Sequence, residues 1–211
     1  MNLITNLEHG LNALQLELPV TVQQQLLAYL DLLAKWNRVY NLTAIREVEQ
    51  MLPKHIFDSL AVLPHLHGEH ILDIGTGAGV PGLILAMAHP MGHYVLLDSQ
   101  AKKIRFVRQA IIELGITNVQ VECIRIELFK PSIIFSTLIT RAFSSLRDFY
   151  GQTRHLHTPE SQLLAMKGIY PQTEIAEIVD LPVKITSLPL QIPQLSAQRH
   201  LIKISYDYTS R

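Results

Sequence analysis

The sequence predicts an α/β fold: a mostly parallel, seven-stranded sheet with helices on both faces and an antiparallel hairpin at one edge. Three observations support this prediction. Apolar runs of strand length alternate with segments of helical period after residue 69, a glycine-rich turn follows the first run, and the residues before position 66 have only helical patterns. We therefore expect an N-terminal helical extension over residues 1–65, packed on a compact core over residues 66–211.

The N-terminal helices are predicted from apolar spacing and capping signals. Thr21 followed by Gln24 predicts a capping box, after which one helical face carries Leu26, Leu27, Leu30, Leu33 and Ala34. Pro53 is expected to interrupt the next helix because proline lacks a backbone N–H, and the apolar pattern resumes at Ile56.

The core is predicted from seven apolar or β-rich runs. Five of them are separated by helical segments, which is typical of parallel strands: 71–74, 94–97, 119–121, 137–140 and 163–166. The last two have little helix between them and predict the edge hairpin: 183–188 and 200–206.

Composition limits the class of protein. Hydrophobic residues make up 48% of the 211 residues and charged residues 17%, which suits a folded core rather than disorder. No apolar run reaches the roughly 18 residues of a membrane span, and the N-terminus lacks a signal-peptide pattern. The single cysteine, Cys123, allows no internal disulfide, and we expect it to be a small core residue. These features predict a cytoplasmic protein with no membrane partner.

A glycine-rich turn and the acid after it predict a nucleoside-cofactor site. Residues 75–79 follow the first strand, where glycine lets the backbone turn sharply and approach a ligand. Ligands of such sheets bind outside the carboxyl ends of the strands. Asp98 ends the second strand, where its carboxylate can accept hydrogen bonds from both hydroxyls of a ribose.

The identity of the cofactor depends on the residue before the turn. The glycine spacing also satisfies the dinucleotide fingerprint, with Asp98 at about the expected distance. However, Asp73 is expected to face the cofactor, where its carboxylate would repel a pyrophosphate and tolerate the cationic end of S-adenosylmethionine. We therefore favour S-adenosylmethionine and a Rossmann-like class I methyltransferase fold. The alternative is a simple tight turn in which Asp73 is a local cap.

Further motifs lie in a fixed order along the chain: Lys35-Trp36-Asn37 with Tyr40-Asn41-Leu42-Thr43, His55-Ile56-Phe57-Asp58-Ser59, Asp73 to Gly82, Leu97-Asp98-Ser99 with Lys102-Lys103, Arg141-Ala142-Phe143, and Lys167-Gly168. In these motifs the chain resembles the bacterial RsmG family, also called glucose-inhibited division protein B. Its members are guanine-N7 methyltransferases of 16S ribosomal RNA in the small ribosomal subunit.

The resemblance implies an S-adenosylmethionine-dependent methyltransferase that acts on 16S RNA within the small subunit or its precursor, and we expect the protein to be a monomer. It also implies roles for individual residues: Gly75, Gly77 and Val80 in the cofactor loop, Asp98 at the ribose, Ile126 and Glu127 at the adenine, and Arg141 in the cofactor pocket close to the reacting centre.

The chemistry of guanine N7 narrows the catalytic requirements. N7 carries a lone pair and no proton, so no general base is needed, and the enzyme mainly has to align the reacting atoms. It must also tolerate a purine ring that becomes cationic. Arg141 is the candidate catalytic residue because an arginine can fix a carboxylate or the guanine O6 acceptor. The alternative is a structural ion pair.

RNA contacts are expected from a few local groups, because the formal net charge is zero. The candidates are Asn37, Asn41, Lys102, Lys103, Arg105 and Lys167. The basic residues after the second strand fit phosphate binding as well as they fit a solvated helix face.

Two other polar or aromatic pairs have local interpretations. Trp36 and Tyr40 favour core packing over base stacking. His55 and Asp58 share a helical face and suggest a polar lining or a structural pair, since two ligands are too few for a metal site, and we expect no metal.

Two other functions compete with methyl transfer. A nicotinamide-dependent oxidoreductase would use the same glycine turn, but the chain has no Tyr-x-x-x-Lys pair for hydride transfer. A non-catalytic RNA-binding protein with a degenerate cofactor fold is the other alternative. The intact glycine turn, Asp98 and Arg141 argue against it.

Overall fold

The computed structural model describes residues 2–143 and 145–207. Its strands are β1 His70–Ile74, β2 His93–Leu97, β3 Val119–Glu122, β4 Thr137–Thr140, β5 Gln162–Lys167, β6 Val183–Pro189 and β7 His200–Tyr206. They form one sheet in the order β3-β2-β1-β4-β5-β7-β6. β1 to β5 are parallel, whereas β7 runs antiparallel to both β5 and β6. The predicted fold class is confirmed.

Helices cover both faces of this sheet. They are α1 Leu3–Ala13, α2 Val20–Tyr40, α3 Val48–Met51, a π-helical segment Leu52–Phe57, α4 Asp58–Leu60, α5 Gly82–Ala88, α6 Ala101–Leu114, α7 Leu146–Thr153 and α8 Gln172–Ala176, with short 3₁₀ turns at Leu63–His65 and Ile126–Leu128. Within the described residues, no helix is both long enough and apolar enough to cross a membrane.

Two details of the N-terminal helices differ from the predictions. α2 begins at Val20 with Pro19 as its N-cap residue, so Thr21 lies inside the first turn and forms no capping box. Pro53 interrupts the α-helical geometry but does not end the helical run, because it lies in the π-helical segment Leu52–Phe57 that joins α3 to α4. A π turn is wider than an α turn, which leaves room for a proline ring that would otherwise meet the preceding turn.

Two buried apolar clusters lie on opposite faces of the sheet. Along β1 the side chains alternate, so Ile71 belongs to one cluster and Leu72 to the other. Leu30 and Leu33 of α2 belong to the same cluster as Ile71, and the half-buried Trp36 packs against it, as expected. The N-terminal helices and one face of the sheet therefore share a core, while the division at residues 65 and 66 stays a prediction.

Cys123 is exposed, so the expectation of a core residue is wrong. It follows β3, the outermost strand on its side of the sheet. There it borders a shallow groove along α6 with Ile104 and Ile112. Because an edge strand has a neighbour on one side only, the residues that leave it are less covered.

Candidate functional site

The carboxyl ends of the central strands surround a cavity of about 460 Å³. Its lining includes four of the predicted cofactor residues, Gly75, Asp98, Ile126 and Glu127, and the candidate RNA-binding residue Lys103. Open α/β sheets bind their ligands at this edge, and a cavity of this size is typical of small-molecule sites. The predicted position of the ligand site is therefore the position of the cavity.

Gly75 forms the turn at the centre of the cavity wall. Its φ of +73° lies in the left-handed region, and a Cβ added there would be 2.5 Å from the Cβ of Ala142. The backbone N–H of Gly75 donates to the carbonyl of Leu97 at 2.7 Å, which ties the turn to the end of β2. Only glycine therefore lets the turn after β1 lie against the residues that follow β4.

Asp73 lies beneath the turn rather than in the cavity wall. Its Oδ2 accepts hydrogen bonds from the hydroxyl of Thr76 at 2.6 Å and from the N–H of Gly82, the first residue of α5, at 2.8 Å. The side chain is completely buried, and Oδ1 has no hydrogen-bond partner among the described residues. Burial raises the pKa of the carboxyl to about 6, although the two hydrogen bonds and Arg141 oppose this rise.

The orientation of Asp73 corrects the expectation that its carboxylate faces the cofactor. It belongs to the same face of β1 as Ile71, and on this face α5 begins. A carboxylate at the N-terminus of a helix accepts from N–H groups that have no partner within the helix. The geometry therefore corresponds to the alternative of a local cap, here one that fixes the glycine turn to α5.

Asp98 occupies the cavity rim as predicted. Its two carboxylate oxygens accept from the N–H groups of Gly77 at 3.0 Å and Gln100 at 2.8 Å, and the Nζ of Lys103 lies 3.8 Å away. The side chain is almost buried, with 5% of its surface exposed. These contacts hold the carboxylate at the end of β2, facing the turn after β1.

The remaining predicted cofactor residues lie at different distances from the cavity. Ile126 and Glu127 belong to the 3₁₀ turn after β3, and both line it, Ile126 as a buried apolar surface and Glu127 as an exposed carboxylate. Gly77 contributes its N–H to Asp98 rather than a cavity wall. Val80 is buried in the apolar cluster beneath the turn and does not line the cavity.

Arg141 follows β4 directly, and the next two residues, Ala142 and Phe143, line the cavity. Its Nη1 lies 3.5 Å from Oδ2 of Asp58 and is shielded from solvent. Asp58 is 2% exposed, and its Oδ1 accepts from Nε of Arg199 at 2.9 Å. Arg141 therefore lies at the carboxyl ends of the central strands beside the cavity, which we call the functional edge, and it also belongs to an ion-pair cluster around the buried Asp58. Both interpretations of Arg141, as a catalytic residue and as a structural ion-pair partner, retain support.

The chain matches the profile of the GidB family, described as rRNA small subunit methyltransferase G, over residues 22–202. The chain belongs to this family. A relative from Nitrosococcus oceani, named ribosomal RNA small subunit methyltransferase G, is 48% identical over 94% of this chain and 92% of its own length. Another of the same name, from Laribacter hongkongensis, is 45% identical over 97% of this chain and 99% of its own length.

Solved structures support the methyltransferase fold of this GidB family member. An S-adenosylmethionine-dependent methyltransferase from Aquifex aeolicus superposes with a TM-score of 0.57 and 17% identity, covering 74% of this chain and 92% of its own. An O-methyltransferase from Thermotoga maritima gives a TM-score of 0.59 at 14% identity, covering 78% and 71% of the two chains. At such low identity these similarities establish the fold alone.

The candidate RNA-binding residues of this family member are not equally available. Asn37 is buried, and its amide donates to the carbonyl of Ile45 at 3.1 Å and accepts from the N–H of Thr43 at 2.9 Å. These contacts hold the loop after α2, which argues against an RNA contact by Asn37. Asn41 is exposed and ends α2 with a left-handed φ of 48°.

The four candidate basic residues also differ in their exposure and in whether they pair with a carboxylate. Lys102 and Arg105 are exposed on α6. Lys103 faces Asp98, and Lys167 pairs with Glu174 at 2.8 Å. The two exposed cations are therefore the ones available to a phosphate, whereas the other two first have to leave a carboxylate.

Sequence reasoning missed Arg199 and the role of Asp58 as its partner. Asp58 does not pair with His55, whose ring nitrogens contact Thr43 and the carbonyl of Lys54. Burial, with Arg141 nearby, lowers the pKa of His55 to about 4. Among residues 2–143 and 145–207, no group of three or more His, Cys, Asp or Glu side chains is arranged to hold a metal ion. Arg199 lies outside every motif, so only the tertiary fold reveals it.

Proposed function

We propose that this chain transfers a methyl group from S-adenosylmethionine to N7 of a specific guanine in 16S ribosomal RNA. The observation that carries the proposal is the family match over residues 22–202, which includes the cavity at the sheet edge and Arg141. The two curated relatives described above are named for action on the RNA of the small ribosomal subunit.

The residues around the cavity fit S-adenosylmethionine. Because Gly75 has no side chain, the backbone can lie directly against a ligand, and a Cβ there would already collide with Ala142. We assign the ribose to the Asp98 carboxylate and the adenine to the turn of Ile126 and Glu127, which line the same cavity. When bound, S-adenosylmethionine supplies a methyl group activated by a positively charged sulfur.

Arg141 is the residue we assign to the reacting centre. The major-groove edge of guanine presents two acceptors, N7 and O6. A guanidinium that donates to O6 fixes the purine while leaving N7 free. N7 has no proton to lose, so this chain needs no general base there, and its residues contribute by orienting the base and excluding other poses.

RNA binding is assigned to exposed side chains around the same edge. Lys102 and Arg105 on α6 and Asn41 at the end of α2 are exposed, and cations at such positions neutralise phosphates. Lys103 and Lys167 contribute if the RNA displaces their carboxylate partners. We infer that the protein acts as a cytoplasmic monomer on 16S RNA in the small subunit or its precursor.

Labelled methyl transfer tests the proposed reaction. Purified protein is incubated with tritiated S-adenosylmethionine and with naked 16S RNA or assembled small subunits, and nuclease fragments are mapped by mass spectrometry. We expect one labelled guanine, methylated at N7, and the more rapidly labelled substrate identifies the particle that the enzyme recognises. Transfer to neither substrate, or to a different atom, contradicts the proposal.

Calorimetry tests the cofactor assignment independently of RNA. Asp98→Ala should weaken S-adenosylmethionine binding by about tenfold or more, because the hydrogen bonds that we assign to the ribose are lost. Glu122→Gln is the matched control, since Glu122 ends the neighbouring strand β3 but does not line the cavity. Preference of the unaltered protein for NAD, or equal affinity of both variants, contradicts the assignment.

A further inference from the structure

Three distant parts of the chain meet at one buried carboxylate beside the functional edge. Asp58 begins α4 of the N-terminal region, Arg141 follows β4, and Arg199 precedes β7. Oδ1 of Asp58 accepts from Nε of Arg199 at 2.9 Å, and Oδ2 lies 3.5 Å from Nη1 of Arg141. Each oxygen therefore faces a different arginine, so the carboxylate connects the two side chains.

The cluster places a buried carboxylate between two partly exposed arginine side chains. Asp58 is 2% exposed, while the side chains of Arg141 and Arg199 are 28% and 23% exposed. Removing a carboxylate from water is unfavourable unless cations and hydrogen bonds replace the solvent. Nη1 of Arg141 makes no hydrogen bond to any described residue, so its positive charge is compensated by the nearby carboxylate of Asp58, and Asp73, whose pKa Arg141 lowers, adds to this.

The position of Arg141 is coupled to the cavity through its neighbours. Ala142 and Phe143 line the cavity, and Ala142 touches the Gly75 turn so closely that no Cβ fits between them. The guanidinium therefore extends from the same short segment that forms the cavity wall. The Asp58 carboxylate faces its far end, with Oδ2 3.5 Å from Nη1, so the backbone segment and an electrostatic contact both bear on the direction of the Arg141 side chain.

We propose that Asp58 is a positioning residue for methyl transfer, which together with Arg199 fixes the direction of the Arg141 guanidinium and offsets its positive charge. The inference rests on the proposed function, in which Arg141 orients the guanine. A purine methylated at N7 becomes a cation, and an uncompensated guanidinium beside it would oppose that charge. A fixed carboxylate on the other side of the arginine reduces this opposition and keeps the donor aligned.

Asp58→Asn is the direct test because asparagine has nearly the same shape but no charge, and it can accept from only one of the two arginines. We expect kcat to fall by about ten- to a hundredfold, whereas the dissociation constant of S-adenosylmethionine changes by less than about threefold because Asp58 does not line the cavity. Asp180→Asn is the matched control: Asp180 forms a 2.9 Å ion pair with Arg147 but is exposed.

The measurements are kcat and KM for the RNA substrate, calorimetric affinity for S-adenosylmethionine, and the melting temperature of each variant. A structural role lowers the melting temperature while leaving kcat unchanged below it, and that result overturns the inference. A higher KM with unchanged kcat also overturns it, since it indicates binding rather than positioning. If the unaltered protein transfers no methyl group, the proposed function fails; if it does and Asp58→Asn matches it, only the inference fails.

Arg199→Gln keeps the test decisive if Asp58→Asn does not fold. Arg199 is partly exposed, so its loss disturbs the core less, but it releases one oxygen of Asp58. We expect kcat at saturating RNA to fall by roughly fivefold and the double variant to be no slower than Asp58→Asn alone, because residues that act as a unit are not additive. Unchanged kcat in Arg199→Gln, or additive losses in the double variant, overturns the inference.

Discussion

The functional edge has two halves that are built in different ways. The cofactor half consists of the Gly75 turn, Asp73 and Asp98, and its polar contacts are mainly hydrogen bonds from backbone N–H groups to two carboxylates. The other half, to which we assign the base that accepts the methyl group, is called the acceptor half. It consists of Asp58, Arg141 and Arg199, which are held by contacts between charged side chains. The first half lies between positions 73 and 98, whereas the second joins residues separated by up to 141 positions.

The difference shows what the N-terminal helices contribute. In the cofactor half, every carboxylate comes from the end of a strand of the parallel sheet. The acceptor half takes its one carboxylate from the helical run that begins at Val48. These helices therefore do more than cover one face of the sheet, because they bring a buried charge to the edge where we place the reaction.

The largest effect is expected from a substitution in the Gly75 turn, which tests whether the close contact of this turn with Ala142 shapes the cavity. Gly75→Ala should weaken S-adenosylmethionine binding by about a hundredfold or more, because the new Cβ would lie 2.5 Å from Ala142 and force the two halves apart. Gly115→Ala is the matched control: its φ of +63° is equally unfavourable for alanine, but nothing lies within 4 Å of the added Cβ.

Calorimetric affinity and the unfolding free energy distinguish the two glycine variants. Both should lose about 1 kcal/mol of stability from the left-handed backbone. Gly75→Ala should lose about 1–3 kcal/mol more from the collision with Ala142, and it alone should lose affinity. Equal affinities in the two variants would mean that the contact between the turn and Ala142 does not shape the cavity.

The pH dependence of stability should have opposite signs in the two halves. The pKa of Asp73 is raised to about 6 from 3.8, so its contribution to folding is complete below pH 3.8 and is lost as the pH rises through 6. Relative to Asp73→Asn, the unaltered protein should therefore become less stable between pH 4 and 7, by up to roughly 3 kcal/mol. Urea unfolding at a series of pH values measures this difference.

His55, beside the acceptor half, should give the reverse slope. Its pKa is lowered to about 4 from 6.5, so its contribution is complete above pH 6.5 and is lost as the pH falls through 4. Relative to His55→Gln, the unaltered protein should become more stable as the pH rises across this range. Slopes of the same sign for the two residues would contradict the assignment of burial as the main cause of both shifts.

Most of the cofactor half was predictable because its signals are local. The strand, the glycine turn and Asp98 are close in sequence, and the parallel sheet brings successive strand ends to one edge. The direction of Asp73 was not predictable in the same way. Its carboxylate accepts hydrogen bonds from Thr76 and Gly82. Which nearby donors a buried carboxylate binds depends on the three-dimensional path of the turn, which the sequence does not give directly.

Two features, the contact of Arg199 in the acceptor half and the exposure of Cys123 at the sheet edge, could not be predicted from neighbouring residues in the sequence. Arg141 was predictable from its position after a strand, but nothing around Arg199 in sequence indicates that it meets Asp58. The prediction that Cys123 is buried was wrong for a related reason, because its burial depends on whether β3 lies in the centre or at the edge of the sheet. Strand order and long-range ion pairs follow from how the elements pack, which residue spacing does not encode.

The smallest expected effect concerns the surface outside both halves. Lys102 and Lys103 are adjacent, but Lys103 faces Asp98 whereas Lys102 is exposed. If Lys102 contacts a phosphate, Lys102→Gln should make the slope of log affinity against log salt less negative by about 0.7 to 0.9 and should leave kcat unchanged. Filter binding of the RNA substrate at several salt concentrations measures the slope.

Lys130→Gln is the matched control for this lysine, since Lys130 is also exposed but borders a different groove, together with His157 and Thr158, which precede β5. It should leave the slope unchanged. Equal slopes for the two variants would assign Lys102 to the solvated face of α6, and the RNA would then have to be held by groups nearer the acceptor half. A change with Lys102→Gln alone would instead extend the RNA surface along α6, next to the carboxylate that we assign to the ribose.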